Sequence, residues 1–239
     1  MSYENFSYYY DSLMDQSFYD DYLAFILEHA NFQNVLELGC GTGEIAIRLA
    51  KLQKEVYASD LSKDMLEVAR LKCIENEVNI HLSRIDMCDF EIAHQLDLVL
   101  CLCDSINYIL KETDVYRVFQ NVFCAIKKSG CFIFDVNSLY KMEVILKDYI
   151  EKNDDPDYFF KWKVDHLDYG FVKHTVEIID KIENDRVYEE HFQKTLSVDQ
   201  YMSMLIQIGF QDIEIYSDFN NYKENCERVI FVCRKGEEI

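Results

Sequence analysis

A doubly wound α/β fold, its sheet mostly parallel with an antiparallel last strand, is what this 239-residue sequence predicts. Three observations carry that expectation. Only seven glycines and one proline occur, yet three of the glycines fall within the five residues Gly39-Cys40-Gly41-Thr42-Gly43. That cluster separates a buried-strand pattern, Asn34-Val35-Leu36-Glu37-Leu38, from a helical one in which Ile45, Leu49 and Leu52 recur beside Ala46 and Ala50. Strand and helix patterns then keep alternating, which implies right-handed crossovers and a parallel sheet covered on both faces.

Taken in order, residues 3–28 form an aromatic-rich helical segment with Tyr8, Tyr9, Tyr10, Phe18, Tyr19, Tyr22 and Phe25, either packed on the sheet or flapping over a ligand. Beyond the glycine turn and its helix, Glu55–Ser59 reads as a strand, Ser62–Glu75 as a helix with Leu66, Ala69 and Cys73 on one face, and Val78–Leu82 as a strand. Asp97–Leu102 is another apolar strand. Val115, Val118, Phe119, Val122 and Ile126 mark a helix stopped by Lys127-Lys128-Ser129-Gly130, a cationic last turn followed by glycine. Cys131–Val136 is the next strand.

From about Tyr140 the texture changes. The acidic stretch 151–157 reads as a loop, and Phe159–Leu167, Phe171–Ile179 and Arg186–Leu196 read as an antiparallel meander. The meander is expected to be an inserted lid, which divides the chain into a main domain (1–140 and 196–239) and a lid (141–195). Ser197-Val198-Asp199-Gln200 is a capping-box sequence opening a helix with Tyr201, Leu205 and Ile208 that ends at Gly209. Ile213–Tyr216 and Arg228–Cys233 close the chain as strands.

Composition narrows the function. Lys and Arg number 24 against 44 Asp and Glu, and a net charge of -20 repels the phosphate backbone that dominates nucleic-acid affinity. Such a surface favours a cationic or amine substrate. The nine cysteines sit mostly inside apolar runs, which reads as reduced thiols in a cytoplasmic protein. No second Cys/His pair stands at a zinc spacing beside Cys101 and Cys103, so no metal is expected. His29, His81 and His94 lack a partner at ligand spacing. The first residues lack a basic region and an apolar stretch, and no segment approaches the roughly 20 apolar residues of a membrane span, so a soluble chain is expected.

In an open parallel sheet, ligands bind beyond the carboxyl ends of the strands, where the strand order reverses. The glycines let backbone approach a ligand there, and the following helix offers its unpaired N–H groups. Asp60 ends the second strand roughly 20 residues past the turn, where a carboxylate accepts hydrogen bonds from a nucleoside ribose. The spacing is G-x-G-x-G, with Glu37 two residues ahead, and differs from the dinucleotide fingerprint G-x-G-x-x-G.

Glu37-Leu38-Gly39-Cys40-Gly41-Thr42-Gly43 resembles motif I of the class I S-adenosylmethionine-dependent methyltransferases, which have a Rossmann-like fold. The resemblance continues through Val56-Tyr57-Ala58-Ser59-Asp60-Leu61-Ser62 and Asp86-Met87, and covers almost the whole chain. It implies a cofactor set of Glu37, Gly39, Cys40, Gly41, Asp60, Leu61, Met65, Asp86, Met87, Leu102 and Ser105. Gly39 and Gly41 would lie against the methionine portion, Asp60 would hold the ribose, and Leu61 and Met65 would flank the adenine. Asp86 would reach the adenine amino group beside Met87; on its own it reads equally as a loop carboxylate or a helix cap. Cys101-Leu102-Cys103-Asp104-Ser105-Ile106-Asn107-Tyr108 is similar to the matching segment of glycine and amino-sugar N-methyltransferases, which implies a small-molecule acceptor. The Asp/Asn-Pro-Pro-Tyr signature of enzymes acting on DNA bases or glutamine amides is absent.

Methyl transfer from a sulfonium requires alignment and, for an amine acceptor, removal of a proton. His191, Tyr10, Tyr108 and Asp104 are the candidates for that work. His191 lies on the third meander segment, pointing either to the cavity or to solvent, and Asp104 reads alternatively as a helix cap. A monomer or homodimer is expected. Two rival classes are a non-catalytic sensor or partner subunit that binds the same cofactor and a nicotinamide-dependent oxidoreductase, the latter disfavoured by the misplaced third glycine and the absence of Tyr-x-x-x-Lys.

Overall fold

The computed structural model describes residues 16–92 and 95–236. Within them the chain runs α1 (Gln16–His29), β1 (Asn34–Leu38), α2 (Glu44–Lys51), β2 (Glu55–Asp60), α3 (Lys63–Glu75), β3 (His81–Arg84), β4 (Leu96–Cys101), a 3-10 turn (Ser105–Tyr108), α4 (Glu112–Ala125) and β5 (Ile126–Asn137). A π-helical turn (Lys141–Ile145) leads to β6 (Ile150–Asp154), β7 (Tyr158–Asp168), β8 (Phe171–Asp180) and β9 (Asp185–Lys194), and the chain closes with α5 (Val198–Ile208), β10 (Phe210–Ser217), β11 (Asn220–Asn221) and β12 (Arg228–Lys235).

Eight strands form one sheet in the order β3-β2-β1-β4-β5-β12-β10-β11. The first five run parallel, and β12 enters antiparallel between β5 and β10. Strand order reverses between β1 and β4, which opens a crevice at their carboxyl ends. The fold is the Rossmann-like α/β class with an antiparallel last strand. A second sheet, β6-β7-β8-β9, is wholly antiparallel.

Pleating sends alternate residues of each central strand to opposite faces, so both faces need apolar cover. Phe132, Phe134 and Phe231 pack with Val118 and Phe119 of α4 and Tyr201 and Leu205 of α5. Ile133, Ile230 and Val232 turn the other way, against Tyr22, Phe25 and Ile26 of α1 and Ile45 and Leu49 of α2. The helices start where the sequence supplies caps: the Met65 N–H donates to Ser62 Oγ at 3.2 Å, and Ser197 and Gln200 form a reciprocal capping box.

Three local expectations are corrected. The strand expected at Val78–Leu82 is His81–Arg84, because left-handed Glu77 (φ 54°) and a Val78 N–H bond to the Cys73 carbonyl prolong the end of α3. Lys127–Gly130 are not the last turn of a helix; α4 ends at Ala125, and these residues bulge out of β5 between the pairs Leu96–Ile126 and Leu98–Cys131. Gly130 serves that bulge, since a Cβ there would stand 2.8 Å from the Lys127 carbonyl oxygen. Finally, the acidic stretch read as a loop holds all but the first residue of β6, an edge strand with all five residues exposed. Without a buried face it has no alternation to read, and its charges suit an unpaired edge.

Candidate active site

The five residues after β1 turn the chain into α2 through three left-handed glycines, with φ 68° at Gly39, 53° at Gly41 and 82° at Gly43. A Cβ on Gly39 would stand 2.7 Å from Ser105 Oγ, so glycine is what lets the turn after β4 lie against the turn after β1. A Cβ on Gly41 would meet nothing within 4 Å, which leaves open space beside the turn. No side chain caps the α2 N-terminus. Asp60 accepts the Gly41 N–H at 2.9 Å through Oδ2 and the Ser62 N–H at 2.8 Å through Oδ1, and each oxygen keeps a second lone pair. Glu37 is buried with Oε2 lacking a hydrogen-bond partner, and burial pushes its carboxyl up to about 8. Burial likewise holds the Cys40 thiol well above its usual value.

Asp86 Oδ1 accepts the Cys88 N–H at 2.9 Å, which makes it a loop carboxylate closing a turn. The Met87 Cε lies 3.5 Å from where a Gly39 Cβ would be. After β4, Cys103 and Asp104 both take left-handed φ, 54° and 53°, and two such non-glycine residues in succession store strain that their surroundings must hold. The Ser105 hydroxyl donates to the Leu102 carbonyl at 2.8 Å, and the Asp104 N–H donates to Asp135 Oδ2 at 2.8 Å. Asp104 stands at the cap position of the 3-10 turn but makes no cap bond with its side chain. It accepts Gln193 Nε2–H at 2.6 Å and pairs with Arg228 at 3.3 Å.

Alternation along the second sheet turns Trp162 of β7, His174 and Val176 of β8, and Glu189, His191 and Gln193 of β9 toward the same cavity. His174 and His191 are direct cross-strand partners. His191 Nε2 lies 2.9 Å from Glu189 Oε2, and the Tyr108 ring stands edge-on to the imidazole at 6.0 Å. Tyr108 is half exposed, but desolvation of its hydroxyl at the cavity wall, with Asp104 nearby, raises that hydroxyl above its ordinary value.

A polarised hydrogen-bond chain joins this sheet to the main one. The Trp162 indole N–H can only donate, and does so to His174 Nδ1 at 3.1 Å, so neutral His174 carries its proton on Nε2 and donates to Gln193 Oε1 at 3.1 Å. Asp104 can only accept, which fixes the other end of the Gln193 amide in the same sense. Protonating His174 would set two donors face to face, and burial already holds its pKa below the ordinary histidine value. Beyond Asp104, Arg228 bridges to fully buried Asp135, which also accepts the Tyr22 hydroxyl at 2.9 Å.

All eleven residues of the expected cofactor set, from Glu37 to Ser105, line one cavity of about 1100 Å³, together with Asp104, Tyr108 and His191. Tyr10 lies outside the described residues. Sequence reasoning missed Arg228, Lys141, Trp162, His174, Glu189 and Gln193 as cavity residues. One signal was available: buried Val187 shares its face of β9 with Glu189, His191 and Gln193 and so marks that face as inward. Among the described residues no group of three His, Cys, Asp or Glu side chains is placed to hold a metal ion, and no helix is long and apolar enough to cross a membrane.

Known proteins are similar to this chain in sequence and fold. A family profile described as a methyltransferase domain matches residues 35–130. A Geobacillus sp. (strain WCH70) protein, whose name assigns it provisionally to the methyltransferases, is 35% identical over 247 residues spanning 98% of this chain and the whole of that protein. The crystal structure of an S-adenosylmethionine-dependent methyltransferase from Clostridium acetobutylicum superposes with a TM-score of 0.88 at 26% identity, covering 98% of this chain and 99% of that one. A sugar N-methyltransferase from Streptoalloteichus sp. shares the fold with a TM-score of 0.78 at 16% identity, over 99% of this chain and 94% of its own.

Proposed function

This chain belongs to the S-adenosylmethionine-dependent methyltransferases, and on that premise we propose that it methylates the nitrogen of a small-molecule amine enclosed between the main sheet and the second sheet. The glycine-turn wall fits the cofactor: Gly41 leaves open space, Asp60 has lone pairs to spare, and Glu37 Oε2 is a buried acceptor without a partner. Asp60 takes the ribose, Gly39, Cys40 and Gly41 back the methionine portion near Glu37, and Leu61, Met65, Asp86 and Met87 surround the adenine. Leu102 and Ser105 support the centre. When bound, S-adenosylmethionine supplies an electrophilic methyl group on a good leaving group.

The observation that carries the amine reading is the His191–Glu189 pair, 2.9 Å apart on the wall facing the cofactor set. An amine attacks only as its neutral form, so its proton has to leave. His191 takes that proton, the Glu189 carboxylate stabilises the imidazolium that results, and Tyr108 orients the acceptor from the turn after β4. Residues 141–195 act as a lid that excludes water from the transfer. A sugar N-methyltransferase with this fold and the chain's net charge of -20 both agree with an amine rather than a nucleic-acid acceptor.

The test is radiolabelled methyl transfer to a panel of small amines and their hydroxyl analogues, using wild type and His191→Gln. We expect amines to be labelled and the variant to lose about a hundredfold or more in kcat/KM while binding S-adenosylhomocysteine normally. Labelling confined to hydroxyl compounds, or an undiminished variant, would overturn the reading.

A further inference from the structure

Among the described residues, Lys141 is a largely buried cation of the cavity from whose ammonium no neighbouring group accepts a hydrogen bond. Its backbone N–H is fixed by Ser138 Oγ at 2.9 Å just beyond β5, and Met142 and Leu146 of the same turn pack with Val164 and Val172 of the second sheet. The side chain is therefore held at the seam between the two sheets, lining the cavity and only 18% exposed. The nearest carboxylate, Glu227, is 3.9 Å away and itself 60% exposed, which is too far for a hydrogen bond. Asp104 and Asp135 are already engaged by Arg228, and no other described residue accepts a bond from the Lys141 ammonium. Three N–H donors on a largely buried charge are costly to leave without acceptors.

The geometry points to Lys141 as an anchor for an anionic oxygen of the acceptor, so that the methylated compound is a small amine that also bears a carboxylate or a phosphate. The inference rests on the reading of this half of the cavity as the acceptor site. Lys141 follows β5 in a turn whose Met142 and Leu146 pack on the second sheet, whereas the glycine turn and Asp60 belong to β1 and β2, on the far side of β4. That separation assigns the ammonium to the acceptor and not to the cofactor's own carboxylate. Burial, reinforced by Arg228, lowers the Lys141 pKa, and an anion placed against it would raise it again.

The experiment titrates the protein, saturated with S-adenosylhomocysteine, with β-alanine, O-phosphoethanolamine and ethanolamine, which are amines bearing a carboxylate, a phosphate and neither. Binding is read by calorimetry and by the side-chain resonance of 13C-labelled Lys141. We expect one anionic probe to bind about tenfold or more tighter than ethanolamine and to shift that resonance, and which probe wins names the anion. Lys141→Met should reduce its affinity to the ethanolamine level, and Lys141→Arg should retain most of it. Equal binding of ethanolamine, or no anionic probe moving the Lys141 resonance, overturns the inference. So does a Lys141→Met variant that weakens S-adenosylhomocysteine, since that would place Lys141 on the cofactor. Anion binding at Lys141 without any methylated amine would instead count against the amine-methylation reading alone.

Discussion

The cavity has two walls built by different means. The wall assigned to the cofactor comes from the turns after β1, β2, β3 and β4, and its defining contacts join main chain to short side chains: Gly41 and Ser62 to Asp60, Cys88 to Asp86, Ser105 to Leu102. The opposing wall comes from one face of the second sheet with Lys141 and Arg228, and its contacts run from side chain to side chain, from Trp162 through His174, Gln193, Asp104 and Arg228 to Asp135. A wall made of backbone turns is set by the fold and keeps one ligand. A wall made of side chains on a pleated face can change its ligand by substitution without disturbing the parallel sheet. This is how one fold serves many acceptors.

The largest effect should come from cutting the side-chain wall at its buried charge. Arg228→Met leaves Asp135, which is fully buried, without its cation, and removing one partner of a buried pair costs about 3–5 kcal/mol. Urea unfolding should show that loss, and Asp135→Asn in the same chain should recover part of it. The folded fraction should still bind S-adenosylhomocysteine normally. If affinity falls with stability, the two walls are one cooperative unit.

Asp60→Ala should do the reverse. It removes the acceptor of two backbone N–H groups and of the proposed ribose contacts, so cofactor affinity by calorimetry should fall by about a hundredfold. Unfolding should change less than in Arg228→Met, because the freed N–H groups of Gly41 and Ser62 border the cavity and can be hydrated. An Asp60→Ala chain that binds the cofactor normally would remove the central contact of the backbone-built wall.

The difference in construction also governs what the sequence discloses. The first wall was legible because each part is local: a glycine cluster after a strand pattern, a carboxylate at the next strand end, a short motif after the fourth strand. The parallel sheet was legible for the same reason, since alternation of periods repeats over short windows. The second wall depends on register between strands far apart in the chain. His191 was nameable, but only Val187 marked its direction, and nothing local in the sequence says that His174 would face it or that Gln193 would reach Asp104, 89 residues away. Arg228 read as the first residue of an apolar strand, and its partners Asp104 and Asp135 are 124 and 93 residues distant. The bulge at Lys127–Gly130 and the edge strand β6 escaped because helix-stop residues and strand-bulge residues are chemically alike and because an exposed edge carries no periodicity.

The smallest effect distinguishes the walls by the sign of their response to pH. On the backbone-built side, burial raises Glu37 from 4.5 to about 8, so its contribution to stability is full below the unfolded value and is lost as pH rises from 4.5 through about 8. On the side-chain-built side, burial lowers His174 from 6.5, so its contribution is full above 6.5 and is lost as pH falls through the depressed value. Each group acting alone changes stability by at most about 1.4 kcal/mol per pH unit inside its window. Glu37→Gln should therefore flatten the alkaline side of the stability profile between pH 4.5 and 8, and His174→Gln the side below 6.5. Because the cofactor carries positive charge, its binding at pH 7 should favour the Glu37 carboxylate and release a proton, read as a dependence of the calorimetric enthalpy on buffer ionisation enthalpy that Glu37→Gln abolishes. A buffer dependence surviving in Glu37→Gln and lost in His174→Gln would move the proton-linked group from the wall of turns to the wall of strands.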